Sequence, residues 1–553
     1  MAPGTQDRRG RPPAPGTGAM VIERDTPVPA SDGLVLRADV FRPPGEGRYP
    51  VILSYGPYAK GLAFQQGYAD QWRLMTSQHP DVAAGSSNTH QNWEVADPEK
   101  WVPDGYVCVR VDSRGAGRSP GRLDPYSPRE TQDLYECIEW AAAQPWSTGK
   151  VGLNGISYYA MNQWHVARLH PPHLAAMCVW EGAADFYRDG THHGGILSSF
   201  WQNWYDKQVT VVQHGRGERG PRSAVTGEPV AGPETLTDAE LAAARAPFGE
   251  DIRAHPLDSE FHRARSADWA QVTVPLLTAA NWGGHGLHTR GNFEGFTQAA
   301  SSQKWLEVHG LEHWTHFYTD YGLDLQKRFF ACFLHGDDSG WRDQPPVQLQ
   351  VRALDGFRPR AEREWPLART DWHRLYLRPG SAELAGQPGG AHEQVSYQAE
   401  GGGDHVHRRT GNGRDRDHRA GRGPAVRVLL GHRRRPVLRA AGLRPRRPGG
   451  HLPRRHRPAH PGRPGLAAAV APEAGPGADP PLPALSQPRR DTAGHTRRDL
   501  PGRCRDLAHQ CGPACRLPAG PDPAWPRLRG PLPGRAPAGL VQERDDRLRA
   551  ISP

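Results

Sequence analysis

Beyond Gly403 the 553-residue chain has no Lys, Phe, Tyr or Met, and only one Asn (Asn412), one Trp (Trp525) and one Ile (Ile551). A segment so poor in apolar side chains cannot offset roughly 1–2 kcal/mol of backbone entropy per residue, so it is expected not to pack as a domain. No apolar run approaches the ~20 residues of a membrane-crossing helix, so none is expected. The first nineteen residues, MAPGTQDRRGRPPAPGTGA, lack the apolar stretch of a secretory signal. Met20 then opens the first strand pattern and reads as the true start, with a cytoplasmic location as the expectation. Cysteine is scarce, with seven in all. Cys108, Cys137, Cys178 and Cys332 sit inside apolar runs as small core residues. Cys504, Cys511 and Cys515 have no paired spacing with histidines that would hold zinc.

What is abundant is glycine (64) and proline (55), and the charge is unevenly divided. Residues 401–553 hold 31 Arg against 12 acidic residues, roughly +19 of a net +10, which leaves roughly −9 on residues 1–400. A basic pI ordinarily points to nucleic acid. Here the body is mildly acidic, which argues against such a partner.

Residues 20–57 read as three strands, with Ser31-Asp32-Gly33 as a hairpin turn between the first two. Strand patterns recur at 106–112, 150–154, 175–180, 274–281 and 304–309. Helical patterns at 130–144 and 158–169 lie between them. This alternation predicts a parallel sheet covered on both faces by helices. It lapses over residues 185–268, a polar, Trp-rich stretch placed where an insertion would lie above the C-terminal edge of the sheet as a lid. From 344 to 400 the chain reads as strands beginning a second, β-sandwich layer.

The segment VGLNGISYYAMNQWHVARL carries the chemistry. A strand, a tight turn with Gly155-Ile156-Ser157 and an immediate helix match the nucleophile elbow of an α/β-hydrolase. A strained turn lifts the serine Oγ out of the sheet, and the helix N-terminus aims amide N–H groups at a developing oxyanion. The second residue after the serine, usually small, is here Tyr159.

Together, GKVGLNGISYYA, the upstream VRVDSRGAGRSPG and the earlier ILSYGPYAKG resemble the cocaine esterase / X-prolyl dipeptidyl-peptidase group, the CocE/NonD acyl hydrolases. The resemblance spans about Val21 to Gln398. It implies an α/β-hydrolase core (20–184 and 269–343), a helical lid (185–268), a partial jelly-roll-like β-sandwich (344–400), and extra segments at 1–19 and 401–553. It also implies a serine hydrolase with Ser157 as nucleophile, acting on a small ester or amide without metal or organic cofactor. X-prolyl dipeptidyl-peptidase activity is the alternative, and an inactive truncated product is a further one. A homodimer stays open. The turn Pro57-Tyr58-Ala59-Lys60 matches the family's oxyanion tyrosine, so Tyr58 and the Tyr158 amide are the oxyanion candidates. Asp112, Arg114 and Gly115 match a structural turn, with Asp112 bonding loop amides.

The general base belongs in the loop after the strand KWLEV. Aligning on the strand end selects His313, and aligning on the Trp-x-His triplet selects His316; the strand end fixes the distance more firmly, so His313 is the candidate base and His316 the alternative. The pair could also suggest a metal site, without a third ligand. At the position of the family's triad acid the chain has Gly284 instead. Glu181, acidic at the mouth of an apolar strand, is the replacement candidate. Asp185 is an alternative, with His285 and Glu294 behind it.

The residues missing from the tail have AT-rich codons and those in excess have GC-rich ones, as a GC-rich gene gives when read in a shifted frame. A frameshift near residue 401 is the expectation, and sequencing the gene across codons 396–406 tests it. The alternative is a disordered Arg/Pro-rich tail that binds RNA, but RGG repeats and interleaved aromatics are absent.

Overall fold

The computed structural model describes residues 20–387, apart from 285, 339, 354–355, 371–374 and 382, together with the backbone of three short strands farther on. The chain divides into two units near residue 372. Each is described by itself.

The first unit is built on a ten-stranded sheet in the order β1-β2-β4-β3-β5-β6-β9-β10-β11-β12. In chain order these are β1 (Val21–Pro29), β2 (Val35–Arg42), β3 (Tyr49–Gly56), β4 (Val107–Asp112), β5 (Ser147–Ile156), β6 (Leu174–Trp180), β9 (Leu276–Asn281), β10 (Lys304–His309), β11 (Val347–Ala353) and β12 (Gly356–Glu362). A two-stranded hairpin, β7 (His192–His193) and β8 (Ile196–Leu197), stands apart. From β4 to β11 every neighbour pair is parallel, and the outer pairs β1–β2, β2–β4 and β11–β12 are antiparallel. The Ser31-Asp32-Gly33 turn forms as predicted, with Gly33 at φ 86° and its N–H donating to Ala30 O.

Period-two alternation in the parallel strands splits the core in two. Val51, Leu53, Val107 and Val109 pack with Leu134, Ile138 and Trp164 from the helices Pro128–Ala142 and Tyr158–Ala167. Ile52 and Cys108 face the other way, into a cluster with Trp101, Phe329 and Phe330. The first of these helices starts where its sequence dictates, since Pro128 occupies its first turn and the Ser127 hydroxyl accepts from Glu130 N. The four cysteines placed in apolar runs are buried and free.

The strands β11 and β12, expected to open a separate β-layer, instead extend the main sheet. Val347 pairs with Leu306, and Val347 and Leu349 bury against Leu306 and Val308. Their apolar side chains complete the half-covered edge of β10, which a strand in another layer would have left open.

Between β6 and β9 the chain runs through short helical turns, among them Asp238–Ala243, closed by a Thr237–Glu240 capping box. Trp201, Trp204 and Phe248 from this stretch join the cluster that holds Tyr58 and Tyr158.

The second unit contains a five-stranded sheet: β13 (Tyr376–Arg378), β14 (Glu383–Ala385), β15 (His405–Arg408), β16 (Arg427–Leu430) and β17 (Leu438–Ala441). Only β14–β15 is parallel. The three short strands β15 to β17 lie within residues 401–553, where no packed structure was expected. The remainder of that range and residues 1–19 lie outside the described residues.

Candidate functional site

Six strand ends converge on one edge of the sheet. Gly56, Asp112, Ile156, Trp180, Asn281 and His309 are the last residues of β3, β4, β5, β6, β9 and β10. The loops that follow carry Tyr58, Ser157, Glu181, His288 and His313, as a parallel sheet presents its site. All five line one cavity of about 750 Å³, walled further by Glu94 and by Trp93, Trp204 and Trp314.

Ser157 sits between β5 and the helix Tyr158–Ala167 at φ 57°, ψ −110°, a conformation that costs energy for any residue with a Cβ. Backbone bonds hold it there. Ile156 N donates to Glu94 O at 3.0 Å and Ser157 N to Trp180 O at 3.2 Å. Gly155 is required, because a Cβ there would lie 2.4 Å from Tyr159 Cβ. The tyrosine that stands in place of a small residue is accommodated by a second glycine. Its ring occupies the space a Cβ on Gly56 would fill, 2.5 Å from Tyr159 Cε1.

Tyr58 is held in its turn by Asp112, which accepts from Lys60 N at 2.6 Å and from Arg118 N at 2.8 Å. Asp112 thus bonds loop amides, as its motif implied. The buried Lys60 ammonium is paired with Asp39 at 2.9 Å. Tyr58 Oη accepts from Trp204 Nε1 at 2.9 Å, which leaves its own proton to donate elsewhere. Burial, then the nearby Glu94, push its ionisation well above the usual tyrosine range, so it stays a donor. The Tyr158 amide is the first N–H of the helix, a position that has no intrahelical acceptor. The Tyr158 ring itself is buried, with its hydroxyl donating to Glu130.

Glu181 follows β6 with φ 51° and is fully buried. Its Oε2 accepts from His313 Nδ1 at 2.7 Å, and its Oε1 from His309 Nε2 at 3.1 Å and Asn281 Nδ2 at 3.0 Å. Burial pushes its carboxyl up, but the charge and hydrogen bonds of the two imidazoles outweigh this and hold it down at about 2. His313 also meets a second carboxylate, Glu94 Oε1, at 2.9 Å from Nε2. Burial disfavours its charge, yet Glu181 and Glu94 together raise it to about 10.

The hydrogen-bond partner of Ser157 is neither of the histidines singled out from sequence. Oγ lies 3.3 Å from His288 Nε2, while His313 is drawn to Glu94, since a half-buried imidazolium gains more from a carboxylate than from a neutral hydroxyl. The His288 and His313 rings stack at 5.0 Å and 12°. His316 points away, to Thr319 and Gln350, so it does not converge with His313 on a shared ligand. Asp185 caps the turn Phe186–Thr191 and pairs with Arg188, and Glu294 pairs with Arg290, so neither belongs to the cavity. His285 lies outside the described residues.

Sequence reasoning missed Glu94 and His288. Glu94 enters through a turn at φ 63° in the irregular stretch before β4, where no periodicity marks it. His288 lies in a glycine-rich loop before the helix Thr289–Gln298, and a histidine there has no signature of its own.

The family model for X-Pro dipeptidyl-peptidases (S15 family) matches residues 32–318, just over half of the chain. Cocaine esterase of Rhodococcus sp. (strain MB1 Bresler) is 26% identical over 404 residues, which cover 66% of this chain and 63% of the esterase. A putative serine esterase of Mycobacterium bovis is 28% identical over 182 residues, 32% of this chain and 27% of that protein. Among solved structures, a CocE/NonD family hydrolase from Staphylococcus aureus superimposes with a TM-score of 0.59 at 34% identity, over 70% of this chain and 64% of that one. The chain thus spans less than two thirds of the length of these relatives.

Proposed function

Because the chain belongs to the X-Pro dipeptidyl-peptidase (S15) family, we propose that it is a serine hydrolase cleaving a small acyl ester or amide, with Ser157 as nucleophile and His313 as general base oriented by Glu181. The observation that carries this is the strained Ser157 at φ 57°, exposed in a cavity with the Glu181–His313 pair and the Tyr58 hydroxyl. In the reaction His313 Nε2, released from Glu94, takes the hydroxyl proton as Oγ bonds to the carbonyl carbon. Tyr58 and the Tyr158 amide donate to the resulting oxyanion. On collapse the bond to the leaving group breaks, and that group takes the proton from His313. Water then repeats the sequence on the acyl-enzyme and frees Ser157.

The stretch between β6 and β9 serves in this reading as a lid, supported by Phe200, Trp204 and Gln208 on the cavity wall. A second reading, removal of N-terminal X-Pro dipeptides, is favoured by Glu94, a buried carboxylate on the same wall beside Trp93 and Trp314 that could receive a substrate ammonium.

Turnover of p-nitrophenyl acetate and of glycyl-prolyl-p-nitroanilide, in wild type and Ser157→Ala, tests both. Ester turnover lost in the variant supports the esterase reading, and preference for the anilide supports the peptidase. Folded wild type with neither activity contradicts both and identifies an inactive product.

A further inference from the structure

Among the described residues, His288 hydrogen-bonds Ser157 Oγ from the cavity wall, and the reaction as written above does not use it. Its ring is fixed at both nitrogens. Ala183 N donates to Nδ1 at 3.3 Å, and a backbone amide cannot accept in return, so Nδ1 must present its lone pair. A neutral imidazole then carries its proton on Nε2, the nitrogen facing Oγ.

We propose that His288 is a catalytic hydrogen-bond donor, locked as the Nε2–H tautomer by the Ala183 amide, which donates to Ser157 Oγ and turns the serine proton toward His313. This rests on the reading of Ser157 as nucleophile. One Oγ lone pair is occupied by the Nε2–H group, so the hydroxyl must aim its own proton elsewhere. The parallel stacking of the two rings keeps His313 beside His288 rather than across from it. As Oγ loses its proton and charge builds on it, a neutral hydrogen bond becomes a charge-assisted one, which favours the attacking state over the resting one.

The same geometry excludes His288 as the base. To accept a proton at Nε2 it would have to move its own to Nδ1, where two N–H groups would then face each other. Burial, and after it the charge of His313, also hold the His288 imidazolium down at about 3, so the ring stays neutral while His313 is charged. The arrangement separates the roles of two adjacent histidines: one is kept neutral to donate, the other is paired with carboxylates to carry the proton.

The test compares His288→Gln, His288→Asn and His288→Leu in the full chain, with circular dichroism to establish folding and p-nitrophenyl acetate turnover across pH. Glutamine places an amide N–H near the position of Nε2, and asparagine and leucine do not. Leucine and asparagine are expected to lower kcat/KM about 100-fold or more, the scale of losing one preorganised donor, with glutamine within about tenfold of wild type. The acid limb of the pH profile stays in place in all three, because His313 remains the base. Should leucine fail to fold, the asparagine–glutamine contrast decides alone. Glutamine as impaired as asparagine, or an acid limb that disappears with His288, would overturn the donor role. Folded wild type that neither turns over the ester nor reacts with a fluorophosphonate overturns the nucleophile reading itself, and the donor role with it.

Discussion

A Cβ built on Gly284 would stand 3.5 Å from Oε2 of Glu181. The position at which the related hydrolases' motif calls for an acid and the carboxylate proposed to take its place come from the ends of different strands, β9 and β6, yet they meet at the same point beside His313. On the proposed mechanism, this relationship lets the chain do without an acid at 284. A carboxylate needs only to reach Nδ1 of the histidine, and the neighbouring parallel strand, one hydrogen-bonded ladder away, offers that reach.

An acid transplant follows from it. Glu181→Gln is expected to lower kcat by about 10⁴-fold, as loss of a triad carboxylate does elsewhere. Adding Gly284→Asp to that variant is expected to recover at least tenfold. Steady-state kinetics of the single and double variants decide the point, and a double variant no better than the single one would show that the two positions are not interchangeable.

In the proposed mechanism the Glu94 contact sets the pH at which His313 can act as base. With the imidazolium raised to about 10, the acid limb of kcat/KM for the free enzyme should lie well above the usual histidine range, so activity climbs from neutral toward alkaline pH. Glu94→Gln removes one anionic partner, lowers the His313 pKa and moves that limb to lower pH, raising activity near pH 7. A limb near 6.5 in wild type, unmoved in the variant, would contradict the Glu94–His313 contact.

The same pair makes stability depend on pH. A histidine whose folded pKa is raised adds stability that is fully present below its unfolded value, about 6.5, and is lost as pH rises through about 10. Denaturation midpoints are therefore expected to fall between those limits, and to fall less in Glu94→Gln. Equal slopes in the two proteins would count against it.

The elbow has no spare room. Gly155→Ala would put a methyl 2.4 Å from Tyr159 Cβ and 3.1 Å from Glu94 O, at a φ of 152°. A loss of about 1–3 kcal/mol is expected from overpacking, read as a shift in urea midpoint at constant slope. Pairing it with Tyr159→Ala should return part of the loss, and an unshifted midpoint in Gly155→Ala would show that the turn is looser than the geometry indicates.

Much of this was legible in residue order because local patterns specify it. The turn at Gly155–Ser157 follows from a buried strand running straight into a helix, and Glu181 stood out as a charge at the end of the apolar run of β6. The β-strands at 347–362 read correctly as strands but not as members of the main sheet, because pairing partners some 40 residues away leave no mark in a strand's own alternation. Glu94 and His288 were invisible for a related reason. Each meets its partner across the fold, Glu94 with His313 and His288 with Ser157, from loops without periodicity. The end of the strand before it pointed to His313 over His316, and it is the His313 ring that reaches Glu181.

The most direct measurement is peptide mapping of the adduct left by a fluorophosphonate probe on the folded full-length protein. The account predicts one phosphonylated residue per chain, Ser157, and no adduct in Ser157→Ala. An adduct on any other residue, or undiminished labelling of the alanine variant, would contradict it.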